Sequence, residues 1–189
     1  MNNFIVEISA RHVHLSEQDL YTLFGEGYQL QVKKELSQPG QYACVEKVTI
    51  VGAKGQLQAR ILGPTRKESQ VEVSISDAYF IGLQPLIRES GDIEGTNGVK
   101  LIGPKGELTL TKGLIAAKRH IHMTEADAKE FGVKNGDIVK VEVGDHDRSL
   151  IFDNTVIRVS DKFSLAMHID TDEGNACGQF NTSYGRIIK

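Results

Sequence analysis

Apolar and polar residues alternate over short spans along most of this chain, which predicts strands rather than long amphipathic helices. Phe4–Ile8 reads as the first strand, and Gln29-Leu30-Gln31-Val32 alternates as a half-buried strand does. Further strands are expected at Val45–Val51, Leu57–Leu62, Gln70–Ser76, Val99–Ile102 and Glu107–Leu110. Gly52-Ala53-Lys54-Gly55 and Gly63-Pro64-Thr65-Arg66 separate them, and Pro39-Gly40 marks a loop over Leu36–Gln41. The second half replays this in shorter form, with strands at Asp137–Val143, Ser149–Phe152, Thr155–Val159 and Leu165–Asp170. A Gly-Asp-rich turn at 144–147 carries His146, read as a solvated loop residue. Because no long helix intervenes, the pattern favours a barrel or sandwich over a parallel α/β sheet.

Two short helices are predicted, and they belong to an internal repeat. Arg11-His12-Val13-His14-Leu15-Ser16-Glu17-Gln18-Asp19 returns as Arg119-His120-Ile121-His122-Met123-Thr124-Glu125-Ala126-Asp127, each followed by a run closed with Phe-Gly. On a strand, residues i and i+2 share a face, so His12 and His14 project together, as do His120 and His122. Ser16 and Thr124 stand as helix N-caps, with Asp19 and Asp127 at the capping-box position. Glu17 and Glu125 suit the positive end of the helix dipole, and Gly25 and Gly132 suit the stops. Each copy is therefore strand, imidazole pair and short capped helix.

Composition narrows the function classes. With 19 Gly, 4 Pro and no Trp among 189 residues, tight turns in a β-rich protein are expected. A formal charge of −3 gives no electrostatic reason for a nucleic-acid or anionic-membrane partner. No apolar run near membrane-spanning length and no signal-peptide pattern at Met1-Asn2-Asn3 are present, so a cytoplasmic protein is expected. Cys44 and Cys177 form no CxxC pair and read as packing residues of a reduced compartment.

The paired histidines carry the chemistry. Laying the repeats on each other sets Leu165–Asp170 against Gln70–Ser74, so that His168 takes the place of Glu72. His12, His14 and Glu72 then make one three-ligand set, and His120, His122 and His168 another, each matching the ligand types of a catalytic Zn²⁺ site with an open position. Brought together by a pseudo-twofold, the two sets would form a dinuclear site. Arg66 precedes the strand carrying Glu72 and supplies a guanidinium suited to phosphate or carboxylate. Arg11 and Arg119 face away from the histidines and are expected to pair with carboxylates. Two functions fit these residues. One is a dinuclear zinc hydrolase acting on phosphoesters or amides. The other is a zinc-stabilised binding module that chelation unfolds.

The chain resembles the PduL-type phosphotransacylases, the phosphate propanoyltransferases, over almost its whole length. The motifs carrying the likeness are Ser9–Ser16, Leu36–Gln41, Leu62–Arg66, Gln70-Val71-Glu72, Arg119–His122 and Met167–Asp170. The resemblance implies two pseudo-symmetric small β-barrels capped by short helices, with the strand before each His pair exchanged between barrels. Residues 11–117 would form one half, and residues 1–10 with 118–189 the other. The implied activity is zinc-dependent, reversible acyl transfer between coenzyme A and phosphate, using propanoyl-CoA or acetyl-CoA and two Zn²⁺. His12, His14 and Glu72 would hold one ion, His120, His122 and His168 the other, and Arg66 the phosphate. Ile8, Ser9, Ala10, Lys34, Arg60, Leu62 and Asn175 would lie along coenzyme A, with Tyr79 stacking on adenine. A homodimer is compatible with this reading. Relatives housed in microcompartments carry an amphipathic extension where this chain has Met1-Asn2-Asn3, so encapsulation by that route is not expected.

Overall fold

The computed structural model describes residues 3–144, 147–178 and 183–188; the expected turn at His146 lies outside them. In chain order the elements begin β1 (Phe4–Ile8), β2 (His12–His14), α1 (Glu17–Phe24), β3 (Val32–Glu35), β4 (Tyr42–Val51), β5 (Gln56–Gly63), β6 (Gln70–Glu72) and α2 (Ile75–Ile81). They continue β7 (Leu86–Arg88), β8 (Asn97–Ile102), β9 (Glu107–Ala117), β10 (His120–Met123) and α3 (Glu125–Phe131). The last are β11 (Ile138–Val143), β12 (Leu150–Val159), β13 (Ala166–Ile169), α4 (Thr171–Ala176) and β14 (Ser183–Ile188). None of the helices among the described residues is long and apolar enough to cross a membrane.

The chain divides into two compact units, one of residues 10–36 and 40–117, the other of residues 1–9, 37–39 and 118–189. In the first, β4, β5, β2, β6, β9 and β8 pair in that order, and β8 returns to β4 to close a barrel. Strands β3 and β7 attach to its outside through β4 and β9. Val13, Ile50, Ile61, Val71, Leu101 and Leu114 fill its core. In the second unit, β1, β13, β10, β12, β11 and β14 close a barrel around Val6, Ile121, Val141, Ile157 and Met167. Closure leaves no unpaired edge within either ring.

The two barrels share one pairing plan. Strand β2 runs parallel to β5 and antiparallel to β6, while β10 runs parallel to β12 and antiparallel to β13. Each ring is completed by the strand preceding the other ring's His pair: β9, which pairs β6 and leads into β10, and β1, which pairs β13 and leads into β2. The strands are thus exchanged, and among the described residues the fold is mainly β with four short helices.

Several local expectations are corrected. The third strand lies at Val32–Glu35 instead of 29–32, because the Gln31 N–H is taken by the Glu46 carboxylate at 3.1 and 3.2 Å rather than by a ladder. The segments expected as strands through Ser76 and Asp170 stop at Glu72 and Ile169, and a helix follows each. Ser74 caps α2 by accepting from Asp77 N, and Asp170 caps α4 in a full capping box with Glu173. The strands expected at Ser149–Phe152 and Thr155–Val159 are one, β12, bulged against β11 where Asn154 adopts φ 54°. Thr124 and Asp127 make the capping box expected of α3. In α1, Ser16 caps Asp19 N, but the Asp19 carboxylate accepts from Ser69 Oγ, which in turn accepts the Ser16 N–H at 2.8 Å.

Candidate metal centres

In the first unit, β2 is too short to do more than present three residues. Strand alternation sends Val13 into the core and puts His12 and His14 on the opposite face. The antiparallel register sets His12 against Glu72 and His14 against Gln70. His12 Nδ1 lies 2.9 Å from Ala10 O and His14 Nδ1 lies 3.2 Å from Leu62 O, so each ring donates there and turns Nε2 toward the carboxylate. Those nitrogens are 3.5 Å from Glu72 Oε2 and 4.0 Å from Glu72 Oε1. The three ligand atoms lie within 4.8 Å of one another, and all three residues are buried.

Burial and charge act against each other here. Burial disfavours the imidazolium of His12, but attraction to Glu72 and a hydrogen bond with it outweigh this and raise its pKa. Burial likewise opposes ionisation of Glu72, yet His12 above all holds its pKa below the usual carboxylate range. His14, desolvated and repelled by His12 and Arg66, is pushed well below the ordinary histidine value.

Glu72 is also braced. Its Oε1 accepts from Gln70 Nε2 and, at 2.8 Å, from Ser90 Oγ; Gln70 Oε1 accepts the Gly91 N–H at 2.7 Å. Arg66 Nη1 donates to the same Ser90 hydroxyl at 3.1 Å, and its backbone N–H bonds Leu15 O at 2.9 Å. One serine thus links the guanidinium to the carboxylate. Neither Gln70 nor Ser90 was singled out as a functional residue from sequence: Ser90 sits in a loop where Glu-Ser-Gly signals only a turn.

In the second unit, the register sets His120 against His168 and His122 against Ala166. Their ligand atoms also lie within 4.8 Å of one another. His120 Nδ1 donates to Lys118 O at 2.9 Å, as His12 does to Ala10. His122 packs on Phe163 with ring centroids 4.2 Å apart, and its buried Nδ1 has no hydrogen-bond partner among the described residues. Burial, then the neighbouring His120, His168 and Arg158, push its pKa down to about 2.

Arg11 and Arg119 occupy matching places. Arg11 pairs with Asp77 at 2.9 Å and donates to Gln58 O; Arg119 pairs with Glu173 and donates to Asp153 O at 2.7 Å. Both carboxylates belong to the first turn of a capped helix in the same barrel. Of the residues expected along coenzyme A, Arg60 lies in register with His12 and donates to Cys44 O and Val45 O, and Leu62 follows it on β5. Lys34 is exposed on β3, Ala10 holds His12, and Tyr79 is 77 % exposed on α2 with Lys54 Nζ 5.4 Å from its ring centroid. In the other unit Ile8 packs against Gly174, the Ser9 N–H bonds Ile169 O, and Asn175 is exposed on α4. Cys44 and Cys177 are buried, and burial, then Glu46, pushes the Cys44 thiol up to about 11.

Sequence comparison decides what these barrels belong to. The family model described as phosphate propanoyltransferase matches residues 5–180, taking in both clusters. The chain belongs to that family. Phosphate propanoyltransferases similar to it include that of Thermotoga maritima, 60 % identical over 173 residues, which cover 91 % of this chain and 82 % of the relative. Those of Clostridioides difficile and Enterococcus faecalis are 54 % and 53 % identical, covering 97 % and 100 % of this chain and 88 % and 89 % of theirs. As a phosphate propanoyltransferase family member the chain is a phosphate acyltransferase.

Proposed function

We propose that this acyltransferase is zinc-dependent and interconverts a short-chain acyl-CoA, propanoyl-CoA or acetyl-CoA, plus phosphate with the acyl phosphate plus coenzyme A. His12, His14 and Glu72 hold one Zn²⁺, and His120, His122 and His168 hold the other. The observation that carries this reading is the donor chemistry. Each set offers three converging nitrogen or carboxylate donors, with His14 and His122 held by burial in the neutral form a ligand requires, and in His122 a buried nitrogen without a partner among the described residues. When bound, zinc supplies Lewis acidity for a thioester carbonyl and a partner for a departing thiolate.

The chain's own residues do the rest. Phosphate is already an anionic nucleophile, so the demands are charge neutralisation and positioning. Arg66 grips the phosphate through its fork, and Ser90 holds the guanidinium at the Glu72 carboxylate. A phosphate oxygen bonds to the thioester carbonyl carbon, the C–S bond breaks, and the coenzyme leaves as thiolate. Arg60 and Lys34 meet the phosphates of coenzyme A. No acyl-enzyme forms, which agrees with a Cys44 thiol kept protonated.

The test is coenzyme A release from propanoyl-CoA and acetyl-CoA, with and without phosphate, alongside zinc analysis. Release that requires phosphate, with acyl phosphate formed, is expected. Release that proceeds equally without phosphate identifies a hydrolase and overturns the proposal.

A further inference from the structure

His168 is held differently from the other histidines. His12, His14 and His120 each turn Nδ1 to a backbone carbonyl. His168 instead turns Nδ1 to the Glu7 carboxylate, 3.7 Å from Oε2, because β1 pairs with β13 in a register that sets Glu7 beside it. Ser37 Oγ donates to the same Glu7 oxygen. On the other side of the ring, Gln38 Nε2 approaches His168 Nε2 at 3.4 Å while its amide clamps the Ser164 backbone, donating to O at 2.9 Å and accepting from N at 3.2 Å. Carboxylate at Nδ1 and amide donor at Nε2 both select one tautomer: Nδ1–H, with the lone pair on Nε2.

The repeat sharpens the point. In the first barrel the residue matching His168 is Glu72, and the β9 residue in register with Glu72 is Ile115, fully buried. A carboxylate stands at this β1/β9 position where the third ligand is an imidazole, and an aliphatic side chain stands there where the third ligand is itself a carboxylate. A carboxylate beside Glu72 would repel it; beside a histidine it orients the ring and raises its basicity as a ligand.

We infer that Glu7 is a positioning residue for the second metal set, fixing the His168 tautomer and ring so that Nε2 is presented to the ion. Ser37 aims the carboxylate. Gln38 occupies the lone pair until the ion takes it. The inference rests on the proposed zinc reading and is tested apart from it.

The experiment uses full-length protein carrying His12→Ala and His14→Ala, so that only the second set binds metal. With Glu7 intact, imidazole nitrogen NMR of the metal-free protein should show His168 as Nδ1–H, and Zn²⁺ and Co²⁺ should bind. Adding Glu7→Gln or Glu7→Ala should weaken Zn²⁺ binding by about 10- to 100-fold in chelator competition. It should also change the Co²⁺ absorption spectrum and shift the tautomer, with Glu7→Asp restoring part of each. Unchanged affinity, cobalt spectrum and tautomer in folded Glu7→Gln and Glu7→Ala overturn the role of Glu7 and leave the zinc reading standing. Failure of the intact-Glu7 protein to bind either ion overturns the zinc reading for this set and the inference with it.

Discussion

Glu72 Oε2 lies 3.5 Å from His12 Nε2, across the antiparallel register that makes these two residues direct partners on β6 and β2. In the metal-free protein they form a buried ion pair, and removing one member leaves the other charge uncompensated. Glu72→Gln keeps the acceptor for Ser90 and loses the charge. Its expected effect is loss of metal from the first set with retention in the second, checked by zinc analysis of the purified variant. Full zinc content would remove Glu72 from the ligands.

Purified protein should carry about two zinc ions per chain, one for each three-ligand set. His122→Ala should lower that to about one and lower activity with it. Full occupancy and unchanged turnover in the variant would take His122 out of the second set.

Arg66 separates a phosphate grip from a turn-capping role. Arg66→Lys and Arg66→Ala should both fold and keep zinc, yet lose on the order of a hundredfold in rate, comparable to losing one transition-state donor. Lysine does not rescue because an ammonium lacks the planar fork. Normal saturation by phosphate in Arg66→Ala would send the search for the phosphate site elsewhere.

The buried thiols should be dispensable. Replacing Cys44 and Cys177 together by Ala should leave turnover within about tenfold, or about 1.4 kcal/mol of barrier. A loss of several orders of magnitude in a folded, zinc-replete double variant would point to an acyl-cysteine.

The metal-free protein should lose stability as pH falls below about 6.5. His122 has its folded pKa pushed down to about 2, while the unfolded chain protonates near 6.5. Between those values the unfolded state binds a proton the folded state refuses, so stability is present above 6.5 and declines with falling pH. His14 acts in the same direction, whereas His12, with its raised pKa, stabilises below 6.5 and loses that contribution as pH rises. Denaturant midpoints of chelator-treated protein at pH 7.5 and 5.5 should therefore differ less in His122→Phe than in the parent. Equal differences would show that His122 does not carry the effect.

Much of the architecture was legible because its causes are local. A two-residue period alone places His12 with His14 and His120 with His122 and turns Val13 and Ile121 inward, and Ser16 and Thr124 announce their helices within one turn. Helices α2 and α4 carry the same kind of cap at Ser74 and Asp170, but the strand pattern extends through Ser76 in the one case and up to Asp170 in the other, so each cap reads as a strand residue. What tertiary structure alone decided is everything set by register between distant strands. The Ser90 hydroxyl between Arg66 and Glu72, the Arg11–Asp77 and Arg119–Glu173 pairs, and Glu7 beside His168 depend on which residues barrel closure brings opposite each other. Periodicity says which face of a strand a side chain takes; only the closed hydrogen-bond ladder, summed over the whole ring, says which neighbour it meets there.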